Sequence, residues 1–339
     1  MLSWRNNIRA ASVMKRLLVT GGCGFIGSNF VRYFLKSRPD WGVLNLDKLS
    51  YSGNLANLSD LKSSSRYEFV RGDIADKKLV LKLMKKVSAV AHFAAETHVD
   101  RSIEAADDFL KTNILGTAAL LEVSLACGIK RFVHMSTDEV YGSIAKGHVD
   151  ETAPLLPNSP YSASKAGADL LVRSFQETYG HPAMIMRCTN NFGPYQFPEK
   201  VIPLFVTNLL EGKTVPLYGN GKNRRDWIYV EDACRGLLLV LEKGKAGEIY
   251  NMGAHHEMNN LELTGSILRA LKKDRKMIRY VPDRLGHDLR YAVNFNKLKR
   301  LGFRPAWSFS EGLAATVKWY KENPDWWKPL KRDQYTVKS

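Results

Sequence analysis

The chain has 339 residues, 45% of them hydrophobic and 25% charged, the balance of an ordinary globular protein with enough length for one large domain or two smaller ones. The net charge of +16 comes from basic residues spread along the chain in short clusters such as Lys85-Lys86 and Lys272-Lys273, which reads as a solvated surface, with no basic arm or motif that would mark a nucleic-acid binder. Unbroken apolar runs such as Leu237-Leu238-Leu239-Val240-Leu241 are too short to span a bilayer.

Residues 1–13 carry Arg5 and Arg9 and no acid. They read as a disordered lead before Met14, and without an apolar core they do not resemble a secretion signal. Buried strands are expected at 15–20, 43–46, 67–70, 89–93, 131–135 and 183–186, where short apolar runs recur. Helical stretches such as 26–37 and 106–127 lie between them. This alternation predicts a doubly wound parallel sheet over residues 14–189. After Arg187 the texture changes: Pro194, Pro198, Pro203 and Pro216 fall close together. Residues 190–330 are therefore read as a smaller, interleaved substrate-binding region, with segments near 225–250 returning to the first domain. Cys23, Cys127, Cys188 and Cys234 are scattered, without a C-x-x-C pair. Reduced, mostly buried thiols in a cytoplasmic protein are expected, with no metal site.

The first expected strand runs into Thr20-Gly21-Gly22-Cys23-Gly24-Phe25-Ile26-Gly27. Gly21 suits a tight turn, Gly24 a close approach of backbone to a diphosphate, and Gly27 close helix–strand packing. The diphosphate would sit at the positive end of the following helix. The glycines alone also fit an ordinary turn. Asp47, twenty residues after Gly27, ends the second strand. A carboxylate there binds an adenosine ribose and repels a 2′-phosphate, which favours NAD over NADP, with Lys48 next door softening the preference. Asp73, after the third strand, suits either the adenine edge or a turn.

Tyr161 and Lys165 are four residues apart, so on a helix they share a face. The ammonium is expected to lower the phenol's pKa and make Tyr161 a base near neutral pH. Asp138 and Glu139 follow Ser136-Thr137 at the C-terminal edge of the fifth strand, where open α/β sheets place their sites. Their environments can separate their pKa values, so that one gives a proton while the other takes one.

Several segments together carry a family resemblance: His92–Ser102, Ser136-Thr137-Asp138-Glu139-Val140-Tyr141-Gly142, Ser159–Lys165, Asn190–Lys200, Arg225-Asp226-Trp227 and Gly286–Ala292. On these the chain resembles the extended short-chain dehydrogenase/reductase family, and within it the dTDP-glucose 4,6-dehydratases, over almost all residues after 14. The resemblance implies a Rossmann-type fold, bound NAD and a homodimer built from helices near 106–127 and 162–178. It implies a cofactor site of Gly21, Gly24, Phe25, Ile26, Gly27, Asp47, Lys48, Asp73, Ile74, Ala94, Ala95, Tyr161 and Lys165. It also implies three steps on dTDP-glucose. Tyr161, helped by Lys165 and Thr137, would take the C4 hydroxyl proton as hydride passes to NAD⁺. Glu139 would then remove the C5 proton while Asp138 protonates the departing C6 hydroxyl. Hydride would return to C6. Asn190 and Arg225 would contact the diphosphate, and Lys200, Pro216, Tyr218, Asn260 and His287 the rest of the nucleotide and phosphates. The implied pathway makes a deoxysugar such as activated L-rhamnose.

Small departures from the family pattern are Cys23, Thr97, Phe192 and Leu285. The last two are expected near the sugar-nucleotide site, which leaves UDP-glucose or another nucleotide sugar open as the substrate. A 4-epimerase would need Tyr161 and Lys165 but would give Asp138 and Glu139 no role. A polyanion-binding protein on the same fold has only the net charge in its favour. Trp326 and Trp327 read as packing anchors.

Overall fold

A computed structural model describes residues 14–332; the expected lead at 1–13 lies outside them. Strands β1 (Lys15–Thr20), β2 (Trp41–Asp47), β3 (Tyr67–Arg71), β4 (Ala89–His92), β5 (Phe132–Thr137), β6 (Ala183–Cys188) and, after the short β7 (Asn190–Phe192), β8 (Val215–Tyr218) and β9 (Arg224–Tyr229), β10 (Ile249–Met252) include a seven-stranded sheet. Its order is β10-β6-β5-β4-β1-β2-β3, and every pairing in it is parallel. The helices between are α1 (Phe25–Ser37), α2 (Lys77–Met84), α3 (Val99–Glu104), α4 (Asp107–Phe109), α5 (Thr117–Ala126), α6 (Pro160–Tyr179), α7 (Val201–Leu210) and α8 (Val230–Lys243).

Both faces of this sheet are covered, which is why its strands read as continuous apolar runs. Leu17, Val19, Val43, Val133, Met184 and Met186 pack with Phe30 and Phe34 of α1 and Leu237 and Leu241 of α8. The alternate residues Leu18, Leu44, Phe132 and Ile185 pack with Val80 of α2, Leu120 of α5 and Val172 of α6. Chain order reverses at β1, between β2 and β4, so a crevice opens beyond the C-terminal ends of these strands.

A second apolar core gathers Phe192, Phe205, Val215, Trp227 and Tyr229 with later elements. These are β11 (Glu257–Asn259), α9 (Asn260–Ala270), β12 (Ile278–Val281), α11 (Phe309–Glu322) and α12 (Pro324–Arg332), whereas α10 (Asn296–Arg300) packs Leu298 with the α1 and α8 side of the large sheet. Small sheets β11-β9-β7 and β12-β8 frame it. Trp327 is buried there, and Trp326 reaches back to the first core, its indole N–H donating to Asn57 Oδ1 at 2.8 Å.

The four cysteines are free, and Cys23, Cys188 and Cys234 are buried. By length and hydropathy the helical run Asp107–Ala126 could cross a bilayer, which a search for unbroken apolar runs passes over; half of its most apolar window is buried within the protein.

Candidate active site

One cavity lies at the switch point. Its walls combine the glycine loop, the ends of β2, β3 and β5, and Tyr161, Lys165, Asn190 and Lys200. The loop is shaped by what a side chain would strike. Gly21 has φ 71°, and a Cβ there would lie 2.6 Å from the Ala94 nitrogen; one at Gly27 would lie 2.2 Å from the Gly21 carbonyl oxygen. Both distances are prohibitive, so only glycine permits this approach. Helix α1 begins with no side-chain cap and no acid in its first turn, leaving its N–H groups and positive end for an anion.

Asp47 is buried, and burial raises its pKa. Its Oδ2 accepts from the Cys23 N–H and its Oδ1 from the Leu49 N–H, both at 2.8 Å. The carboxylate therefore ties the glycine loop to β2 while still lining the cavity. Asp73 forms the expected turn, accepting from the Ala75 N–H at 2.9 Å, and it also lines the cavity, bridged to Lys48 at 2.9 Å. Phe25, Ile26, Ile74, Ala94 and Ala95 line the same wall. These residues fit a dinucleotide: a glycine cradle, an uncapped helix and a carboxylate line one groove.

Strand β5 runs two residues beyond its expected end, because Ser136 and Thr137 pair with Arg187 and Cys188 of β6. A 3-10 turn, Asp138–Tyr141, follows, and Thr137 caps it by accepting from the Glu139 N–H at 3.2 Å. The Thr137 hydroxyl also donates to Asp138 Oδ1 at 3.3 Å. Helix α6 starts at a capping box of Ser159 and Ser162 with Pro160 at its first position, and Gly180 ends it in the left-handed conformation. Tyr161 and Lys165 lie on its buried face, 8% and 4% exposed.

Burial and the neighbouring Glu139 hold the Asp138 carboxyl well above the usual range. Glu139 is also raised by burial, but Arg225, Arg284 and Lys200 oppose this. The two adjacent acids thus sit in different fields. Tyr161 corrects the expectation of a lowered phenol. Burial pushes it well above its ordinary value, with Glu139 and Asp138 adding to the rise and the Thr137 hydroxyl opposing. Among the chain's own groups, loss of solvent and two carboxylates dominate the phenol's surroundings. Lys165 is itself lowered to about 8 by burial, against the attraction of Asp169.

Asn190 lines the cavity with a buried, unpartnered Oδ1. The half-buried Lys200 donates from its ammonium to the Thr97 carbonyl oxygen at 2.9 Å. Arg225 is buried beside these groups, its guanidinium 4.2 Å from the Tyr291 ring and donating to the Asp288 carbonyl oxygen at 3.0 Å. Tyr218 meets His287 edge to face at 6.2 Å and donates to Asp100 Oδ2 at 3.4 Å. His287 is paired with Asp283 at 2.6 Å. Pro216 shares strand β8 with Tyr218, and Asn260 opens α9; neither belongs to the cavity wall, and nor do Tyr218, Arg225 and His287. One expectation about the departures is corrected. Phe192 is fully buried in the second core, 5.2 Å from Phe309, and away from the cavity. Leu285 is 77% exposed.

Sequence reasoning missed several groups. Arg284 is paired with Asp100 at 3.5 Å and acts on Glu139. Glu199 lines the cavity with a buried carboxylate, 3.5 Å from Arg101 Nε. Arg284 stands two residues before the Gly286–Ala292 segment and Glu199 inside the Asn190–Lys200 segment, so the signal was membership of or adjacency to a motif.

The model of a family described as GDP-mannose 4,6 dehydratase matches residues 18–316. A dTDP-glucose 4,6-dehydratase of Streptomyces niveus is 51% identical over 93% of this chain and 96% of its own length. Among solved structures, a double mutant of DesIV, the dTDP-glucose 4,6-dehydratase of Streptomyces venezuelae, was determined with NAD bound. It is 54% identical, with a TM-score of 0.91 over 93% of this chain and 99% of that one. The dTDP-glucose 4,6-dehydratase of Bacillus anthracis str. Ames, in complex with NAD, is 46% identical with a TM-score of 0.88 over 93% and 99%.

Proposed function

The chain belongs to the GDP-mannose 4,6 dehydratase family, and on that premise we infer that it is a dTDP-glucose 4,6-dehydratase, an NAD-dependent hydro-lyase forming dTDP-4-keto-6-deoxyglucose and water. The observation that carries this reading is the meeting of the Asp138–Glu139 pair with Tyr161 and Lys165 in the wall of one cavity. A redox epimerisation at C4 needs only the second pair; eliminating water needs an acid and a base as well.

Bound NAD supplies the hydride acceptor and later donor, and in its oxidised form a positive ring that favours an ionised phenol. Tyr161, facing Thr137 and Lys165, takes the proton from the C4 hydroxyl. The C4 ketone then acidifies the C5 proton. Glu139, whose three cationic neighbours favour its ionised form, removes it. Asp138, held protonated by burial and its like-charged neighbour, gives its proton to the departing C6 hydroxyl. Return of hydride to C6 and of a proton to C5 completes the product. Asn190, Lys200 and Arg225 are assigned to the diphosphate and sugar, and Pro216, Tyr218, Asn260 and His287 to the nucleotide. The seven-stranded sheet unit is assigned to the cofactor and the second core to the sugar nucleotide.

The test is incubation of the purified protein with dTDP-glucose without added cofactor, read by mass spectrometry, with UDP-glucose in parallel. Loss of one water from dTDP-glucose alone supports the enzyme, its substrate and its retained NAD together. Dehydration of UDP-glucose instead would keep the mechanism and change the substrate. No dehydration even with added NAD⁺ would remove the assignment.

A homodimer is part of the same proposal. Leu110 and Leu115, on the π-helical stretch that joins α4 to α5, and Leu170 of α6 are 46%, 61% and 56% exposed, an apolar face suited to a second copy. Light scattering on a sizing column reads it out. A cytoplasmic location and a role in deoxysugar biosynthesis complete the reading.

A further inference from the structure

Tyr161, Lys165 and Asp169 follow one another at intervals of four along α6 and so share one face. All three are buried, Asp169 to 1% exposure. A buried ammonium needs an opposite charge, or it loses its proton. The hydrogen-bond partners of the Lys165 ammonium are the Met135 carbonyl oxygen at 2.7 Å and His134 Nε2 at 3.5 Å. Neither supplies that charge. His134 is fully buried on β5, and burial and surrounding cations hold its imidazole neutral.

The negative charge that supports Lys165 is Asp169. Its Oδ1 stands 3.5 Å from the same His134 Nε2, so ammonium and carboxylate meet at one imidazole nitrogen. Its Oδ2 accepts from Arg187 Nε of β6 at 2.8 Å. Arg187 is braced in turn: it donates to the Tyr141 hydroxyl at 2.8 Å, and that hydroxyl donates to Asn251 Oδ1 at 2.8 Å. His134, Asp169 and Arg187 do not line the cavity. Asp169 therefore acts on the reaction only indirectly, with Lys165 the cavity-lining group whose charge it supports.

We propose that Asp169 is a positioning residue, held by Arg187 and in contact with His134, that keeps the Lys165 ammonium charged and in place beneath Tyr161. The proposal rests on the roles given above to Tyr161 and Lys165. A buried ion pair is weak support for stability by itself, since apolar replacements are often neutral or better. Its place on the catalytic face of α6 gives it a use that a core cross-link would lack. The titratable and charged groups facing this seat are Tyr161 and Asp169 on α6, His134 on β5, His92 on β4 with its ring 5.1 Å from that of His134, and Arg187 on β6. Asp138 and Glu139 face Tyr161 from the 3-10 turn.

The experiment is the pH profile of kcat for water loss from dTDP-glucose in Asp169→Asn and in the double variant Asp169→Asn, Arg187→Gln. The double variant avoids leaving the Arg187 guanidinium buried without its carboxylate. Without the carboxylate, Lys165 loses its proton at lower pH, so the alkaline limb should move about one pH unit or more towards acid, as loss of a close opposite charge commonly does. Asp169→Glu should return the limb towards its original place. An unmoved limb in folded protein, a drop uniform across pH, or failure of both neutral variants to fold would each reduce Asp169 to a core residue and overturn the proposal. Tyr161→Phe and Lys165→Met run alongside. If either still dehydrates the substrate, the roles of the pair are wrong; if both are inactive and the limb stays, only the Asp169 inference fails.

Discussion

The Lys165 ammonium donates to the Met135 carbonyl oxygen at 2.7 Å, and this contact clamps α6 to the end of β5. The strand carries Thr137 into the turn of Asp138 and Glu139; the helix carries Tyr161. Two segments that meet only through packing become one site, and the geometry makes their roles separable.

Asp138→Asn and Glu139→Gln should each slow water loss about 100-fold or more, the usual worth of a positioned acid or base, while C4 oxidation survives. Rapid mixing with dTDP-glucose, followed by the absorbance of the reduced nicotinamide, should show that form accumulating. If instead no reduced cofactor forms in either variant, the acids serve the oxidation step and their assignment is wrong.

Asp138 should also cost stability. Its folded pKa is raised by burial and by Glu139, so its contribution is most favourable below the ordinary carboxyl range and declines as pH rises through the folded value. Asp138→Asn should therefore melt higher than the parent at neutral pH, by about 2–4 °C for each kcal/mol relieved or somewhat less in a chain of this length. The difference should vanish near pH 3, about one unit below an ordinary Asp. Melting curves at the two pH values decide it; an equal difference at both would mean that charge is not the cause.

Gly27→Ala places a Cβ against the Gly21 carbonyl oxygen. The loop must shift, so purified protein should carry much less NAD, measured by mass spectrometry of the denatured sample, with a lower melting temperature. Undiminished NAD in this variant would show that the loop is not the cradle.

Arg225→Lys keeps the charge but loses the forked donors and the stack on Tyr291. A lost charged hydrogen bond is worth about 1.5–3 kcal/mol, so KM for dTDP-glucose should rise roughly 10- to 150-fold, with kcat changed far less. A fall confined to kcat would move Arg225 from binding to chemistry.

Much of this was legible in the residues. The glycine loop, the Tyr161–Lys165 face and the six expected strands are patterns within single elements, and such patterns are written in spacing: four residues on a helix, an unbroken apolar run on a strand buried from both sides. The limits of β5 were not legible, because they depend on pairing with β6. Neither was the position of Phe192, placed by sequence near the substrate and by packing in the second core.

By itself, then, the sequence determined which elements form, which residues share a face, and that a proton-relaying pair and an acid pair lie on neighbouring elements. Only the tertiary structure decided the electrostatics. Whether Tyr161 is raised or lowered, which acid keeps its proton, and that Asp169 lies beneath Lys165 depend on burial and on charges from Arg187, Arg225 and Arg284. The physical reason is that periodicity is a property of a few consecutive residues, whereas a pKa answers to every charge within several ångströms and to the water that packing excludes.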